Sequence, residues 1–294
     1  MTSLSCSWEI LHACNYRCPY CFFIHCWERS PEEINTRHAR CSAQDWLRFW
    51  SRLHETSGSF KIEVVGGEPF LYPGFIPLIK TISQQHSLLI VTNLSVPIAE
   101  IAEQLDPKKV RLHSSFHPHF AEIGDFLDKN KALQAKGFRV TTTMVSYPPI
   151  FDQLPRFRDI LESAGISCWV APYQGTYEGR SYPESFTQEQ KDWLYSTHGA
   201  ESRTGFQHGV HSLRPMGKPC TAGQKYFRAY PDGWVHRCSA AKDTTCSQAI
   251  GNIKDPDFRL LSDPTPCPAM HCNSPMEYHK LVEVEKDDRW LSSW

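Results

Sequence analysis

The sequence lacks the features that mark membrane-spanning, secreted and nucleic-acid-binding chains. No apolar run approaches the about 18 residues that a membrane-spanning helix needs. The opening stretch, MTSLSCSWEILHAC, has no basic segment followed by an apolar one, so we expect no secretory signal. The net charge of −1 gives no field for nucleic acid or a membrane surface. We therefore expect a folded cytoplasmic protein that binds neither.

Cysteine, in contrast, is abundant: the chain has 294 residues and 12 cysteines. Disulfides are rare in the reducing cytosol, so metal or cluster ligation, or redox catalysis, explains these thiols better. One group lies near the front of the sequence and a second near its end, with Cys168 alone between them. This distribution suggests two metal centres.

Short β-rich segments alternate regularly with helical patterns as far as residue 198. The predicted strands cover 3–10, 61–65, 87–93, 109–116, 138–145 and 166–173, and the helices cover 42–55, 75–85, 96–105, 120–137, 151–165 and 187–198. Such alternation predicts a parallel sheet with crossover helices. Six units are too few for an eight-stranded barrel, so the predicted class is α/β, a partial (β/α)6 TIM-like barrel.

The rest of the chain predicts a smaller appended unit. We expect the barrel over 1–198, a linker over 199–219, and a cysteine-rich module of β-hairpin and helix over 220–294. Active sites of parallel β/α folds lie at the carboxyl ends of the strands. The first cysteine group follows the first strand, which places it on that face.

Residues 14–21, CNYRCPYC, place three thiols at the spacing C-x3-C-x2-C. A structural zinc site closes with four ligands, and one built from Cys18, Cys21 and Cys26 is the alternative that the spacing leaves open. Three thiolates on one loop can also hold three irons of a [4Fe–4S] cluster and leave the fourth iron open.

The motif resembles the C-x3-C-x-aromatic-C signature of radical S-adenosylmethionine (SAM) enzymes, which follows the first strand of a β/α barrel. The resemblance implies that Cys14, Cys18 and Cys21 hold the cluster and that its open iron binds the amino and carboxylate groups of SAM. An electron from a donor such as flavodoxin or ferredoxin would cleave SAM to a 5′-deoxyadenosyl radical, which abstracts a hydrogen atom from the substrate. Tyr20 would pack near the adenine.

A second motif, VVGGEP at 64–69, ends the second predicted strand and matches the GGEP motif of the same family. Gly66 and Gly67 would let the backbone approach a ligand closely, and the carboxylate of Glu68 suits the SAM ammonium group. An ordinary strand-to-helix turn is the alternative for a lone Gly-Gly pair. The two motifs together indicate a SAM site.

Polar residues also end the third and fourth predicted strands, at Thr92-Asn93 and Ser114-Ser115. Only one of each adjacent pair can point inward, because side chains alternate along a strand. We expect the inward pair to be Asn93 and Ser115, at positions that contact the SAM carboxylate or ribose in the family. A turn or helix-cap role is the alternative for each.

The second cysteine group begins with CTAGQKYFRAYPDGWVHRC at 220–238, in which Asp-Gly predicts a hairpin turn. It resembles the short auxiliary-cluster module called twitch, rather than the longer SPASM form. The resemblance implies a second [4Fe–4S] cluster on Cys220, Cys238, Cys267 and Cys272. The last two depart from the usual C-x2-C, which leaves Cys246 as a substitute ligand, and a four-cysteine zinc clip is the alternative.

The resemblance leaves the reaction open. Cys246 is the first candidate for a hydrogen-donor role, as in radical epimerases, and Cys26 and Cys41 are the others. An inert or buried cysteine is the alternative for each. We expect a small-molecule substrate, such as a sugar or natural-product intermediate, and dehydrogenation or epimerisation, because the first strand begins near residue 3 and leaves no room for a peptide-recognition domain. A peptide-modifying enzyme that works with a separate recognition protein is one alternative. A non-catalytic iron–sulfur carrier or sensor, or a zinc protein, is another.

Overall fold

The structure is a computed structural model that describes residues 4–21, 41–197, 215–239, 249–269 and 272. The strands are β1 Leu4–Leu11, β2 Phe60–Gly66, β3 Ser87–Thr92, β4 Val110–Ser115, β5 Val140–Val145, β6 Cys168–Ala171, β7 Gly175–Tyr177, β8 Arg180–Tyr182, β9 Pro219–Cys220, β10 Tyr226–Ala229, β11 Trp234–His236, β12 Ala249–Asn252 and β13 Thr265–Pro266. The helices are α1 Ala43–Ser57, α2 Phe75–Ile82, α3 Ala99–Gln104, α4 Ile123–Ala135, α5 Leu154–Ser163 and α6 Gln188–Thr197. All six predicted strand–helix pairs are therefore present.

Nine strands form one sheet in the order β12-β11-β10-β1-β2-β3-β4-β5-β6. Strands β1 to β6 pair in parallel in sequence order, and β10 pairs in parallel with the other side of β1. Their carboxyl ends therefore lie at one edge of the sheet, where the predicted site residues lie. The arrangement confirms the predicted α/β class with its partial parallel barrel. None of the described helices is long and apolar enough to cross a membrane.

The predicted C-terminal hairpin is present, and it continues the barrel sheet instead of standing apart from it. Its strands β10 and β11 pair in antiparallel fashion around the turn at Gly233. Phe227 of β10 is fully buried and lies against Phe49, Trp50 and Phe60. Burial of this apolar side chain under α1 explains why β10 joins β1. After residue 215 the described residues form strands, bridges and turns, with no helix among them.

Helix α1 anchors the first strand through a tryptophan cluster. Ser42 and Asp45 form a capping box that begins the helix. The rings of Trp46 and Trp50 then lie 4.7 and 5.5 Å from that of Trp8 in β1, and all three side chains are buried. This contact identifies the helix-facing side of β1, so alternate residues face the inside of the partial barrel.

The short hairpin of β7 and β8 was not predicted from the sequence. Each strand has three residues, too few for a recognisable period-2 pattern. The hairpin directly follows β6 and therefore lies near the carboxyl edge of the sheet.

Buried His86 makes stability depend on pH. Its Nδ1 accepts from the backbone N–H of Phe60 at 3.1 Å, so its Nε2–H donates to the carbonyl of Trp50 at 3.2 Å. Burial lowers the pKa of His86 from 6.5 to about 4. The unfolded chain therefore binds the proton first, and the stabilising contribution of neutral His86, about 3 kcal/mol, should be lost as the pH falls from 6.5 to 4.

The measurement compares the free energy of unfolding of the natural protein and a His86→Asn variant across that pH range. The asparagine oxygen can accept at the position of histidine Nδ1, and its side chain does not titrate. The difference between the two curves should shrink as the pH falls, because the natural protein alone loses this contribution. Parallel curves would contradict the prediction.

Candidate functional site

The cysteine loop leaves β1 against the Gly-Gly pair of β2. The backbone N–H of Gly67 donates to the carbonyl of Leu11 at 3.0 Å, and that of Glu68 donates to Ala13 at 2.8 Å. A Cβ atom on Gly66 or Gly67 would overlap the Leu11 or Ala13 carbonyl oxygen, respectively. Close approach is therefore required here, and the partner that the structure shows is the backbone entering the cysteine loop. The predicted approach of this pair to a ligand stays a prediction.

Three thiols occupy this loop at the carboxyl edge of the sheet. Cys18 is buried, whereas Cys14 and Cys21 are partly buried, and all three are free thiols. Burial raises the pKa of Cys14, and it raises the pKa of Cys18 to about 12 with further contributions from Cys21 and Cys14. The protein alone therefore favours the protonated thiols. Bound metal ions supply the positive charge that stabilises thiolates, so this donor set suits an iron–sulfur cluster.

Glu68 connects β2 with the end of β3. Its carboxylate is fully buried and accepts from Thr92 Oγ1 at 2.9 Å, from the backbone N–H of Asn93 at 2.7 Å and from that of Phe70 at 3.2 Å. Burial raises the pKa of Glu68 to about 7, although these hydrogen bonds act in the opposite direction. In the structure this carboxylate holds neighbouring backbone. Its predicted contact with the SAM ammonium group remains a prediction.

Asn93 carries the connection on to the cysteine loop. Its Nδ2 lies 3.1 Å from Asn15 Oδ1 and 3.7 Å from Cys14 Sγ, while its Oδ1 accepts from the backbone N–H of Ser95 at 2.9 Å. Hydrogen bonds to ligand sulfur are among the factors that tune an iron–sulfur cluster. The structure therefore brings the predicted residue of β3 against a predicted cluster ligand.

The two serines that end β4 face opposite ways. Ser114 is fully buried and its Oγ lies 2.8 Å from Asn130 Oδ1 in α4 and 2.8 Å from Thr142 Oγ1. Ser115 is partly buried and alternates onto the inner face. By this alternation Ser115 faces the side of β4 opposite to α4, and its predicted contact with SAM stays a prediction.

Tyr20 belongs to an aromatic group that the sequence did not predict. Its hydroxyl lies 3.1 Å from His117 Nδ1, and its ring centroid is 5.1 Å from that of Tyr147. Tyr147 also packs edge-on against Tyr173 and Tyr177, with centroids 5.3 and 5.5 Å away. The hairpin of β7 and β8 therefore meets the cysteine loop through a row of aromatic rings. Such a partly exposed row suits ligand binding.

Three cysteines of the second group lie close together in the structure. Buried Cys220 and Cys267 belong to one small hydrophobic cluster, against which partly buried Cys238 packs. Thr265, two residues before Cys267, pairs with Cys220 across β9 and β13. Cys272 is described and partly buried. The auxiliary cluster on these four cysteines remains a prediction.

Arg237 links the segments of this module, because its buried guanidinium donates to the carbonyls of Ala222, Thr265 and Pro266 at 2.9 to 3.1 Å. Across the described ranges, no three His, Cys, Asp or Glu side chains converge as ligands of a single metal ion. Cys246 and Cys26, with the roles predicted for them, lie outside the described residues.

A buried ionic group inside the partial barrel was also not predicted from the sequence. Glu9 accepts from Arg228 of β10 at 2.7 Å and lies 2.8 Å from His12 Nε2 at the start of the cysteine loop. Burial opposes ionisation of Glu9, but the hydrogen bond from His12 and the charge of Arg228 outweigh it and lower its pKa. Strand β10 is thereby tied to the loop that carries Cys14.

Solved structures share this fold. Over 87% of this chain, Streptococcus suis SuiB is 15% identical with a TM-score of 0.60, and anSMEcpe with bound AdoMet is 16% identical over 86%, also at 0.60. The match spans 64% of SuiB, so this chain covers less than two thirds of it, and 78% of anSMEcpe. SuiB is also known bound to S-adenosylmethionine and to its precursor peptide SuiA, and anSMEcpe with AdoMet and the Kp18Cys peptide. The likeness confirms the fold that the radical SAM resemblance implied. No protein-family model and no curated protein matches the chain.

Proposed function

We propose that the chain is a radical SAM enzyme that modifies a peptide. The observation that carries the proposal is the position of the cysteine loop. The Gly66-Gly67 backbone holds the loop at the carboxyl edge of the sheet, and the Asn93 side chain contacts Cys14. The shared fold with structures that hold S-adenosylmethionine supports it. An iron–sulfur carrier has no need of such a second motif beside its cysteines.

Within this proposal the residues of the site have different roles. Cys14, Cys18 and Cys21 hold a [4Fe–4S] cluster, and Glu68 and Asn93 keep the loop and the end of β3 together. A cluster bound there and reduced by a flavodoxin- or ferredoxin-like donor would supply the electron for SAM cleavage, and the resulting 5′-deoxyadenosyl group would take a hydrogen atom from the substrate. The cysteines at 220, 238, 267 and 272 would hold a second cluster, which would supply a site that accepts or relays an electron.

A peptide is the better-supported substrate. The sequence analysis favoured a small molecule, but the structures that share the fold favour the peptide alternative. Both SuiB and anSMEcpe carry peptides in the structures that share the fold. The open aromatic row between the cysteine loop and the hairpin of β7 and β8 offers a peptide a surface beside the reactive centre.

The test is anaerobic turnover of protein reconstituted with iron and sulfide. SAM and dithionite are added and 5′-deoxyadenosine is quantified, with a Cys14/Cys18/Cys21→Ala variant as the matched control. We expect a brown protein that forms 5′-deoxyadenosine and a triple variant that forms none above background. Candidate peptides and sugars are then supplied in parallel, and mass spectrometry identifies the modified one. A brown protein that never cleaves SAM would indicate a carrier, and a colourless zinc-binding protein would overturn the assignment.

A further inference from the structure

One inner wall of the partial barrel presents uncharged hydrogen-bonding groups beside an indole ring. It comprises His113 of β4, Thr141 and Thr143 of β5, and Trp169 of β6, and we call it the inner wall. His113 pairs directly with Thr141 across the sheet, and Thr143 pairs with Trp169. Cross-strand partners share a face, so the four side chains form one contiguous surface.

The inner wall is open although its residues lie within strands. Thr141 is exposed, and the other three side chains are partly buried. Their neighbours on the opposite, helix-facing side of the same strands are 6% exposed or less, namely Leu112, Ser114, Val140, Thr142, Met144, Cys168 and Val170. The two faces of these strands therefore differ sharply, and the inner one borders accessible space.

His113 gives this surface a directed polar group. Its Nδ1 lies 2.8 Å from Thr141 Oγ1, and its ring lies 5.7 Å from that of Trp169 at an angle of 37°. The protein atoms around this partly buried ring desolvate its charged form and lower the pKa of His113 to about 4, so the imidazole is neutral at neutral pH. Within the described residues, Nδ1 is the ring nitrogen with a hydrogen-bond partner, so Nε2 is left to meet a ligand.

The helix-facing side of the same strands carries a polar group with a structural role, which can be compared with the inner wall. Ser114, Thr142 and Asn130 are fully buried and bonded to one another, and Asn130 Nδ2 also donates to the Phe126 carbonyl at 2.7 Å. That group satisfies its own hydrogen bonds and faces no open space. The inner wall has similar residue types but remains accessible, as a binding surface must.

We propose that the inner wall selects the substrate by binding an uncharged, hydroxyl-bearing side chain of the peptide, with Thr141 and His113 making hydrogen bonds and Trp169 covering its carbon atoms. The inference rests on the proposed function and adds the substrate class to it. A charged side chain would lose hydration against this neutral surface without a compensating partner. Arg111 is the nearest charge along β4, so an anionic probe belongs in the test.

The experiment compares two nearly isosteric probes, N-acetyl-threonine methylamide and N-acetyl-valine methylamide, on the reconstituted, SAM-loaded protein. Ligand-observed NMR gives the affinity of each. The threonine probe should bind about three- to tenfold more tightly, the range that one or two net hydrogen bonds provide. Thr141→Val and His113→Phe should each bring the affinities of the two probes closer to equality. Thr81→Val, at an exposed position of α2, is the matched control and should leave the preference unchanged.

Other results would overturn the inference. These are equal binding of the two probes, no detectable binding of either, a preference that survives both inner-wall variants, or tighter binding of N-acetyl-aspartate methylamide. Formation of 5′-deoxyadenosine is measured on the same preparations. A protein that cleaves SAM without the probe preference refutes the inner wall alone. A protein that shows the Thr141-dependent preference without cleaving SAM refutes the proposed function alone.

Discussion

A Gly67→Ala variant is expected to lose the iron loading and SAM cleavage that we propose for this protein, while it keeps its parallel sheet. The added methyl group would overlap the carbonyl of Ala13, and its next contact would be the carbonyl of His12 at 2.6 Å. Backbone cannot move aside as a flexible side chain can. The entry to the cysteine loop must shift, which breaks the bonds from Gly67 to Leu11 and from Glu68 to Ala13. Overpacking and two lost hydrogen bonds together cost about 3 kcal/mol.

The measurements for Gly67→Ala are iron per chain after reconstitution, 5′-deoxyadenosine formed, and far-UV circular dichroism. Gly124→Ala is the matched control, because Gly124 lies in α4 and a Cβ there would meet nothing within 4 Å. Alanine is the better helix former, so the control should be neutral or up to about 1 kcal/mol more stable. A Gly67→Ala protein with full iron content and normal SAM cleavage would show that the close contact does not position the loop.

Replacement of Glu68 by leucine is expected to lower the free energy of unfolding by about 4 kcal/mol. The buried carboxylate accepts from Thr92, Asn93 and Phe70, and leucine would leave these donors without their acceptor. An unsatisfied buried donor costs about 1–3 kcal/mol. The free energy of unfolding of the Glu68→Gln variant should lie between those of the Glu68→Leu variant and the natural protein. The glutamine oxygen can still accept a hydrogen bond, whereas its NH2 group faces another donor.

Denaturant unfolding of the two Glu68 variants gives these values, with Glu103→Leu as the control at an exposed position of α3. That surface substitution should change stability by no more than about 0.5 kcal/mol. Iron loading is measured in parallel, since Asn93 joins Glu68 to Cys14. A Glu68→Leu protein as stable as the control would show that the three hydrogen bonds contribute little.

Much of the fold could be predicted because its signals are local. The tryptophan spacing of α1, the apolar runs of β2 and β3, and the Asp-Gly turn between β10 and β11 each act over a few residues. Strand ends were equally predictable, so the cysteine loop, the Gly66-Gly67 pair and Asn93 fall at the same edge of the sheet as expected. Ser114 bonds Asn130 of α4, and the choice of Ser115 as the inward residue, which rests on side-chain alternation, stays a prediction.

By itself, then, the sequence determined the order of strands and helices, the edge that carries the cysteines, and the radical SAM resemblance. Only the tertiary structure decided which partners meet: Glu68 with Asn93, Glu9 with Arg228 of a strand 219 residues away in sequence, and His113 with Thr141. The physical reason is register. Side chains far apart in sequence meet only after neighbouring strands have paired, and no periodicity within one strand specifies its neighbour's alignment.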